Sequence, residues 1–470
     1  MDVVIGAGLA GLSAAIHLAA AGREVTVVET RDVPGGCCGT AELGPYRFDT
    51  GPSVLTMPDV LAEIFGAAGE DLDHWLPLRR LDPAYRLLFH DGSRLDVLPD
   101  ADAMIGQVRE LCGPAEAERY RRFRTLLGRL FAAEWSVFVD ADMTRLRALA
   151  RPVALVRLAA MGGFRRLDRL VAAHLTDERL IRAHTFQALY AGLSPSRALG
   201  VYAVIAHMDT VGGVYFPESG GMHAVPAAMA ALAGKLGVTF RYGTRATRVE
   251  AGGDGVTAVR LDTGERLASR AVVVACDLVR AQAELLPRAA ADWRLRRPRF
   301  SPSCVVTHVG LDRPLPGHAH HTLHLGRQWE RTFAALEAGR PQPDPSILVT
   351  HPSPDTLSVL EPAPNLQGRG WETVEERLLA RLDALGYGDL SGAPRLTWDP
   401  RRWAAEGHSA GTPFALDHRF TQTAWFRPSG AARRVPGLHF AGMHTAPGVG
   451  VPPVLLSGRL AARRIIAEAR

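Results

Sequence analysis

The sequence predicts an α/β fold in which a Rossmann-like nucleotide-binding domain is joined to a second, mixed α+β domain. Two observations lead to this prediction. A β-α-β pattern with a glycine fingerprint opens the chain at 2–29, and a strand, a glycine-rich loop and an amphipathic helix close it at 438–469. The length of 470 residues and the 47% hydrophobic content fit two tightly joined domains with a large buried core.

The glycine fingerprint follows directly on a short apolar strand at 2–5, with glycines at Gly6, Gly8 and Gly11. The first glycine permits a tight turn, the second lets the backbone approach a pyrophosphate, and the third lets helix and strand pack closely. The helix that begins here offers free N–H groups and a positive dipole end to phosphate. Glu29, at the end of the second strand, is expected to accept hydrogen bonds from a ribose.

A second glycine motif distinguishes between the possible cofactors. Glu29 is followed by Arg31 and then by Gly35 and Gly36, which gives the pattern E-x-R-x-x-x-G-G. A nicotinamide site needs no such extension. The pattern resembles the one that follows the fingerprint in two-domain flavoproteins of the amine oxidase type, where the paired glycines let the chain pass close to the flavin. We therefore predict non-covalently bound FAD.

The elements between the two ends change character along the chain. Residues 53–214 look helical, most clearly at 59–69, 115–134 and 177–191. Strands are predicted at 238–242, 246–250, 256–261 and 271–275, with a hairpin signal at 262–264. In FAD proteins of this layout such a segment lays a strand beside the adenosine, which makes Val249 a predicted cofactor contact. Residues 296–430 are mixed and rich in proline.

This order of elements implies that the FAD-binding domain is discontinuous. We predict that it comprises residues 1–60, 215–290 and 431–470. Residues 61–214 and 291–430 form the predicted domain for substrate and membrane association.

Composition excludes several other classes of function. The net charge of +5 is mild, and no basic tail or nucleic-acid-binding signature accompanies it, so nucleic acid is not a predicted partner. The 5 cysteines have neither metal-ligand nor disulfide-framework spacing, so no metal site is predicted and a reducing cytoplasm is expected.

Five further sequence blocks lie outside the fingerprint. They are 48–56 (FDTGPSVLT), 214–222 (VYFPESGGM), 320–322 (HHT), 422–428 (QTAWFRP) and 442–452 (GMHTAPGVGVP). In this order they resemble blocks of the bacterial-type phytoene desaturases, the FAD-dependent carotenoid desaturases, most closely the actinobacterial ones. The first and last blocks are the most specific, and the resemblance covers essentially the whole chain.

The resemblance implies further cofactor contacts at two places. Gly51 and Pro52 form a fixed turn that lets the backbone pass near the isoalloxazine ring. The C-terminal signature is expected to end in a helix start whose N–H groups stabilise negative charge at the flavin's pyrimidine edge. The contacts that it implies are Gly442, Thr445, Pro447, Gly448 and Gly450.

The activity that the resemblance implies is desaturation of phytoene to ζ-carotene, neurosporene or lycopene, with quinone or oxygen as the final electron acceptor. No motif identifies the base that takes the proton. His320 and His321 are candidates, because histidine titrates near neutrality.

Four departures from the family pattern leave the substrate and the number of desaturation steps open. Cys37 stands where arginine is common after the paired glycines, Glu218-Ser219 replace one arginine, Glu361 replaces a small residue, and the histidine of the C-terminal signature is displaced to His444. The alternatives are a later-step carotenoid desaturase, an isomerase or a saturase. A flavin amine oxidase and a non-catalytic FAD-binding scaffold are alternatives from other classes.

Membrane access is expected without a spanning helix, because the sequence contains no uncharged apolar stretch long enough to cross a bilayer. The segment 143–173 combines many apolar residues with seven arginines and one acidic residue. Such a basic amphipathic stretch can lie on an anionic membrane surface, and a core-facing helix with a solvated arginine face is the alternative. The predicted location is cytoplasmic, at the inner face of the cell membrane.

Overall fold

The computed structural model describes residues 1–144, 152–315 and 317–469. Its strands are β1 (Asp2–Ile5), β2 (Val25–Val28), β3 (Thr40–Leu43), β4 (Tyr46–Asp49), β5 (Leu78–Arg80), β6 (Tyr85–Leu88), β7 (Arg94–Val97), β8 (Tyr215–Pro217), β9 (Thr239–Arg241), β10 (Ala246–Gly252), β11 (Gly255–Leu261), β12 (Arg266–Ala268), β13 (Ala271–Val274), β14 (Ser303–Gly310), β15 (His321–His324), β16 (Ile347–Ser353), β17 (Thr356–Ala363), β18 (Arg395–Trp398) and β19 (Leu438–Phe440).

The α-helices connect and cover these strands. They are α1 (Leu9–Ala20), α2 (Pro58–Ala67), α3 (Leu72–Trp75), α4 (Ala101–Cys112), α5 (Pro114–Glu134), α6 (Pro152–Ala160), α7 (Leu167–Ala172), α8 (Glu178–Ala183), α9 (Ala203–His207), α10 (Ala224–Lys235), α11 (Leu278–Glu284), α12 (Trp329–Glu337), α13 (Val374–Leu382), α14 (Pro400–Ala405) and α15 (Val451–Glu468). Single π-helical turns follow α5 at Trp135–Val139 and α9 at Met208–Gly212.

A five-stranded parallel sheet, in the order β19-β13-β1-β2-β9, carries the glycine fingerprint. Four of its strands, β19, β13, β1 and β2, are short, buried and largely apolar, which is typical of a parallel sheet covered on both faces, and the edge strand β9 is more exposed. Helix α1 packs against both α10 and α15. The strands come from residues 1–60, 215–290 and 431–470, so distant parts of the chain meet in one sheet. An antiparallel sheet of β10, β11 and β12 contains the predicted hairpin.

A larger sheet of seven strands, in the order β18-β14-β17-β16-β15-β6-β7, forms the second layer. It includes the hairpin β6–β7, so the prediction that residues 53–214 are helical was wrong there. Each of these two strands has only four residues, too few to establish a clear period, although Asp91-Gly92 in their connection is a hairpin signal. The predicted helix 177–191 is also interrupted, because it divides into α8 and a 3-10 segment at Phe186–Ala191.

Helices α4 to α9 lie over one end of the molecule, and α5 packs along α9. One hydrophobic cluster runs from the fingerprint strand, at Val4, through Leu12 of α1 to Tyr120 and Leu127 of α5. The cofactor side and the helical region therefore share a core. Among the helices of the described ranges, none is long and apolar enough to cross a membrane.

Candidate cofactor and substrate site

Gly6 and Gly11 set the backbone geometry of the fingerprint. Gly6 has a φ of +107°, which favours glycine, and its amide donates to the carbonyl of Val28 at 2.8 Å. A Cβ atom on Gly11 would overlap the carbonyl oxygen of Gly6. Both glycines are therefore required by the close approach of β1 and α1, as the sequence predicts.

Gly8 is different, because its position is open. A Cβ atom there would have no neighbour nearer than the Cα of Gly36, at 3.7 Å, and it would point into a cavity that Gly8 lines. Helix α1 begins at Leu9 with no side-chain cap and no acidic residue in its first turn. This is a cradle of free N–H groups that fits a phosphate.

The carboxylate of Glu29 is buried beside this turn. Its two oxygens accept hydrogen bonds from the backbone amides of Ala7, at 2.7 Å, and Arg31, at 3.0 Å. The guanidinium of Arg31 donates to the carbonyl of Gly36 at 2.7 Å and pairs with Glu406. Arg31 therefore fastens the glycine pair to the end of the strand that carries Glu29.

The residues that follow the paired glycines lie against the turn at residues 51–52. Gly35 and Gly36 have φ angles of +136° and +58°. A Cβ atom on Gly51 would overlap the carbonyl of Cys37. Backbone thus packs directly on backbone. No side chain projects from these glycines, so a planar ligand can approach the main chain closely.

The C-terminal signature forms the opposite wall. Gly442 donates its amide to Ser457 at 2.8 Å, and Gly448 packs so tightly against His418 that a Cβ atom would overlap the imidazole. Gly450 precedes α15, whose next residues include Pro452 and Pro453. Because proline has no N–H, only the amides of residues 450 and 451 are free to face a ligand here, fewer than the sequence interpretation assumed.

One cavity of about 1260 Å³ connects these parts with the helical end of the molecule. Eleven of the fifteen predicted cofactor contacts line it: Gly6, Gly8, Glu29, Arg31, Gly35, Gly36, Gly51, Pro52, Gly442, Pro447 and Gly450. Gly11, Thr445 and Gly448 do not line the cavity, but they pack behind residues that do. Thr445, for example, donates its hydroxyl to the carbonyl of Gly442 at 3.0 Å.

Val249 lies elsewhere. Its side chain is fully buried in the core of the three-stranded sheet, and its amide donates to the carbonyl of Leu285 at 2.9 Å. The cavity is lined instead by residues 244–247, the loop and first residues of β10. The sequence located the strand and missed which of its residues reaches the cavity.

The other end of the cavity is an apolar chamber. Its walls come from α5, α9 and the face of the large sheet, and they include Phe131, Phe138, Phe186, Leu189, Tyr190, Tyr202, Ile205, Leu323, Leu325, Trp329 and Phe333. Two buried acidic residues, Glu134 and Asp209, also line this end. An extended hydrocarbon fits such a chamber by burial of apolar surface.

His320 and His321 do not line the cavity. The ring of His320 lies 4.4 Å from that of Phe216, and His321 is buried with its Nδ1 at 3.1 Å from the hydroxyl of Thr350. Burial lowers the pKa of His320 to about 2 and that of His321 to about 3, so both are neutral. The structure therefore does not bring them to the candidate site.

Two interactions at the site were not predicted. The fully buried guanidinium of Arg427 donates to the carbonyls of Leu416, at 3.2 Å, and Met443, at 2.6 Å, which ties the 422–428 block to the C-terminal signature. The thiol of Cys37 lies 3.7 Å from Nε2 of His408. For Arg427, the sequence signal was an arginine placed among aromatic residues and proline. The contact between Cys37 and His408 gave no such signal, because the two residues are 371 positions apart.

Comparisons with known proteins agree with this geometry. A family profile described as flavin containing amine oxidoreductase matches residues 9–466. The chain is 48% identical to a phytoene dehydrogenase of Streptomyces griseus, over 98% of this chain and 94% of that protein. It is 34% identical to a zeta-carotene-forming phytoene desaturase of Myxococcus xanthus, over 99% of this chain and 93% of that protein.

Solved structures show the same fold at lower identity. A putrescine oxidase variant superposes with a TM-score of 0.66 at 16% identity, covering 99% of this chain and 98% of its own. A cyclohexylamine oxidase of Brevibacterium oxydans superposes with a TM-score of 0.62 at 19% identity, covering 100% of this chain and 99% of its own. The chain belongs to the flavin containing amine oxidoreductase family, and its cofactor is FAD. The predicted fold class is confirmed.

Proposed function

We propose that this protein is an FAD-dependent carotenoid desaturase that converts phytoene to the more conjugated ζ-carotene, neurosporene or lycopene. The observation that carries the proposal is the single cavity that joins the dinucleotide cradle to the apolar chamber. The relatives named as phytoene dehydrogenase and phytoene desaturase support the same substrate. The enzyme is an oxidoreductase that acts on CH–CH bonds.

The predicted contacts place the cofactor along this cavity. Gly8 and the N-terminus of α1 would hold the pyrophosphate, and Glu29 would hold a ribose. The turn at 51–52 and the start of α15 would hold the flavin ring. When bound, FAD supplies the acceptor for the hydride that leaves the substrate.

The chain itself provides binding, orientation and exclusion of water. Phe131, Phe186 and Trp329 offer broad apolar surface to an extended polyene. A quinone or oxygen would accept the electrons that the substrate loses. An amine oxidase is the less favoured function, because its structural likeness at 16–19% identity concerns the fold alone.

We also propose that the protein collects its substrate at the membrane surface, through α6 and the turn after it. Val153, Val156 and Phe164 are 65%, 67% and 44% exposed, although all three are apolar. Phe164 and Leu155 also line the chamber, so this exposed patch lies at its entrance. Arginines 157, 165, 166 and 169 are exposed around the patch, whereas Arg145, Arg147 and Arg151 lie outside the described residues.

This arrangement favours surface attachment over the alternative of a core-facing helix. On α6, the apolar side chain of Leu158 is buried while Val153 and Val156 point outward. Apolar side chains surrounded by cations suit the interface of an anionic bilayer. The proposed location is therefore the inner face of the cell membrane.

Production of pigment tests the proposed reaction. Cells that make phytoene and also express this protein should accumulate coloured carotenoids with additional conjugated double bonds. Unchanged phytoene, together with conversion of supplied ζ-carotene, would instead assign a later desaturation step. Interconversion of isomers without use of an acceptor would assign an isomerase.

Vesicle flotation tests the proposed surface. The protein should float with anionic vesicles, and V153D/V156D should abolish most of this binding. The control is L366D, which places one aspartate at an apolar residue that is 41% exposed and does not line the cavity. Equal flotation of both variants would contradict the proposed attachment, and salt should weaken binding by the wild type.

A further inference from the structure

Glu134 is a buried acid at an unusual place. It is the last residue of α5, and the π-helical turn Trp135–Val139 begins directly after it. Its side chain is 4% exposed and lines the apolar chamber. Its Oε1 atom has no hydrogen-bond partner within the described ranges. Single π-turns inside helices often occur at functional sites.

The surroundings of Glu134 connect it with the C-terminal signature. Tyr202 lines the same chamber, and its hydroxyl donates to the carbonyl of His418 at 3.1 Å. His418 in turn packs against Gly448. Glu134 therefore belongs to the part of the chamber that adjoins the proposed flavin site.

The charges of Arg124 and Arg427 act on this part of the chamber, whereas the histidines and the tyrosine near Glu134 are uncharged. From α9, His207 stacks on Phe131 one turn before Glu134, and burial lowers the pKa of His207 to about 4. Burial and the charge of Arg427 hold the pKa of His418 well below its ordinary value, and burial raises that of Tyr202. Burial alone raises the pKa of Glu134 well above its ordinary value.

An unpaired acid of this kind needs a chemical explanation. Burying a polar group without a partner is unfavourable, and a hydrocarbon in the chamber has no group that could pair with it. A leucine would fill similar space without an unpaired polar group. A carboxylate in apolar surroundings is, however, a much stronger base than one in water, and burial is how enzymes bring glutamate into the neutral range.

We propose that Glu134 is the proton acceptor of the desaturation, an inference that rests on the proposed function. One substrate C–H bond breaks with its electron pair, which leaves as hydride to the oxidised flavin. The neighbouring C–H bond breaks and leaves its electron pair as the new C=C bond, while its proton forms an O–H bond on the Glu134 carboxylate. The substrate loses two electrons, the flavin gains them, and the carboxylic acid later releases the proton to water.

The experiment compares wild type, E134Q, D209N and E361Q as holoenzymes with phytoene across a range of pH. Glu361 is a matched control, because it is also buried, has an unpartnered oxygen and does not line the cavity. Burial raises its pKa to about 7, so E361Q also tests whether a remote titration shapes the profile.

The expected results follow from loss of the base. E134Q should reduce the rate by about 100-fold or more with KM little changed, and the residual rate should no longer rise with pH. E361Q should keep the wild-type rate and profile. The proposal is wrong if E134Q keeps the wild-type rate and pH profile. It is also wrong if D209N alone removes the rise of the rate with pH. A wild type that leaves phytoene unchanged would refute the proposed function instead.

Infrared spectroscopy provides a readout that does not depend on turnover. In the holoenzyme without substrate, a carbonyl band of a protonated carboxyl group should disappear as the pH rises through the raised pKa of Glu134. This band should be missing from E134Q and present in E361Q. A spectrum of E134Q identical to that of the wild type would show that Glu134 is already ionised and would overturn the proposal.

Discussion

The carboxylate of Glu29 accepts the backbone N–H of Ala7 at 2.7 Å. This bond joins the end of β2 to the middle of the glycine fingerprint, so the acid fixes the turn as well as facing the cavity. Arg31 donates its amide to the other oxygen at 3.0 Å. One carboxylate therefore links the fingerprint, the second strand and the paired-glycine loop.

E29A should lower the affinity for FAD by about 10-fold to 100-fold. The Ala7 amide loses its buried acceptor, and the ribose hydroxyls lose the carboxylate that would accept their hydrogen bonds. The measurement is flavin fluorescence during titration of the FAD-free protein. The control is E24A, since Glu24 lies just before the same strand and is largely exposed. Equal affinities of E29A and E24A would contradict this role.

G8V should abolish FAD binding while preserving the fold. The added side chain has room in the protein itself, since its nearest neighbour is 3.7 Å away, but it occupies the space assigned to the pyrophosphate. G66V is the matched control, because Gly66 is an exposed helical glycine with no neighbour within 4 Å. Flavin content after purification distinguishes them, and full occupancy in G8V would show that the phosphates lie elsewhere.

R427M should destabilise the protein by about 3 kcal/mol, because several buried carbonyl groups lose a charged donor. Thermal unfolding with and without FAD measures the loss, and FAD should stabilise the variant less than the wild type. The exposed Arg331 provides the control R331M. If the melting temperature of R427M were as high as that of R331M, the role assigned to the Arg427 guanidinium would be contradicted.

Cys37 should be the most reactive thiol at the cavity. Burial raises its pKa, but the charges of His408 and Arg31 outweigh burial and bring the pKa below its ordinary value. Cys276, also at the cavity, is exposed to solvent there, but desolvation by the surrounding chain and the charge of Asp277 raise its pKa to about 12. At neutral pH more of Cys37 is therefore thiolate, and thiolate is the form that reacts.

Alkylation with iodoacetamide, followed by peptide mass spectrometry, checks this prediction. In FAD-free protein Cys37 should react before Cys276, H408N should slow it, and FAD should protect both residues. Faster labelling of Cys276, or labelling of Cys37 that FAD leaves unchanged, would contradict the placement of this thiol beside the cofactor.

The sequence predicted those parts of the molecule whose chemistry is local. Gly6, Gly11 and Glu29 are fixed by the turn between β1 and α1, and that turn is visible as a spacing of residues. Val249 shows where this reasoning ends, because the strand was correct while the direction of its side chains depends on what packs against the sheet.

Burial is the property that the sequence did not show. His320 and His321 were predicted from the ordinary pKa of histidine, which burial lowers far below neutrality. The same effect raises the pKa of Glu134, which carried no motif. Candidate bases therefore emerge only after the chamber and its walls are known.

The central claim is that this cavity removes hydrogen from phytoene with FAD as the first acceptor. The most direct measurement is anaerobic mixing of the purified holoenzyme with phytoene in vesicles, without nicotinamide, while flavin absorbance is recorded. The account predicts that the flavin bleaches, that a more conjugated carotenoid forms in equal amount, and that added quinone restores the flavin and sustains turnover. Bleaching by amines but not by phytoene, or no bleaching by either, would contradict it.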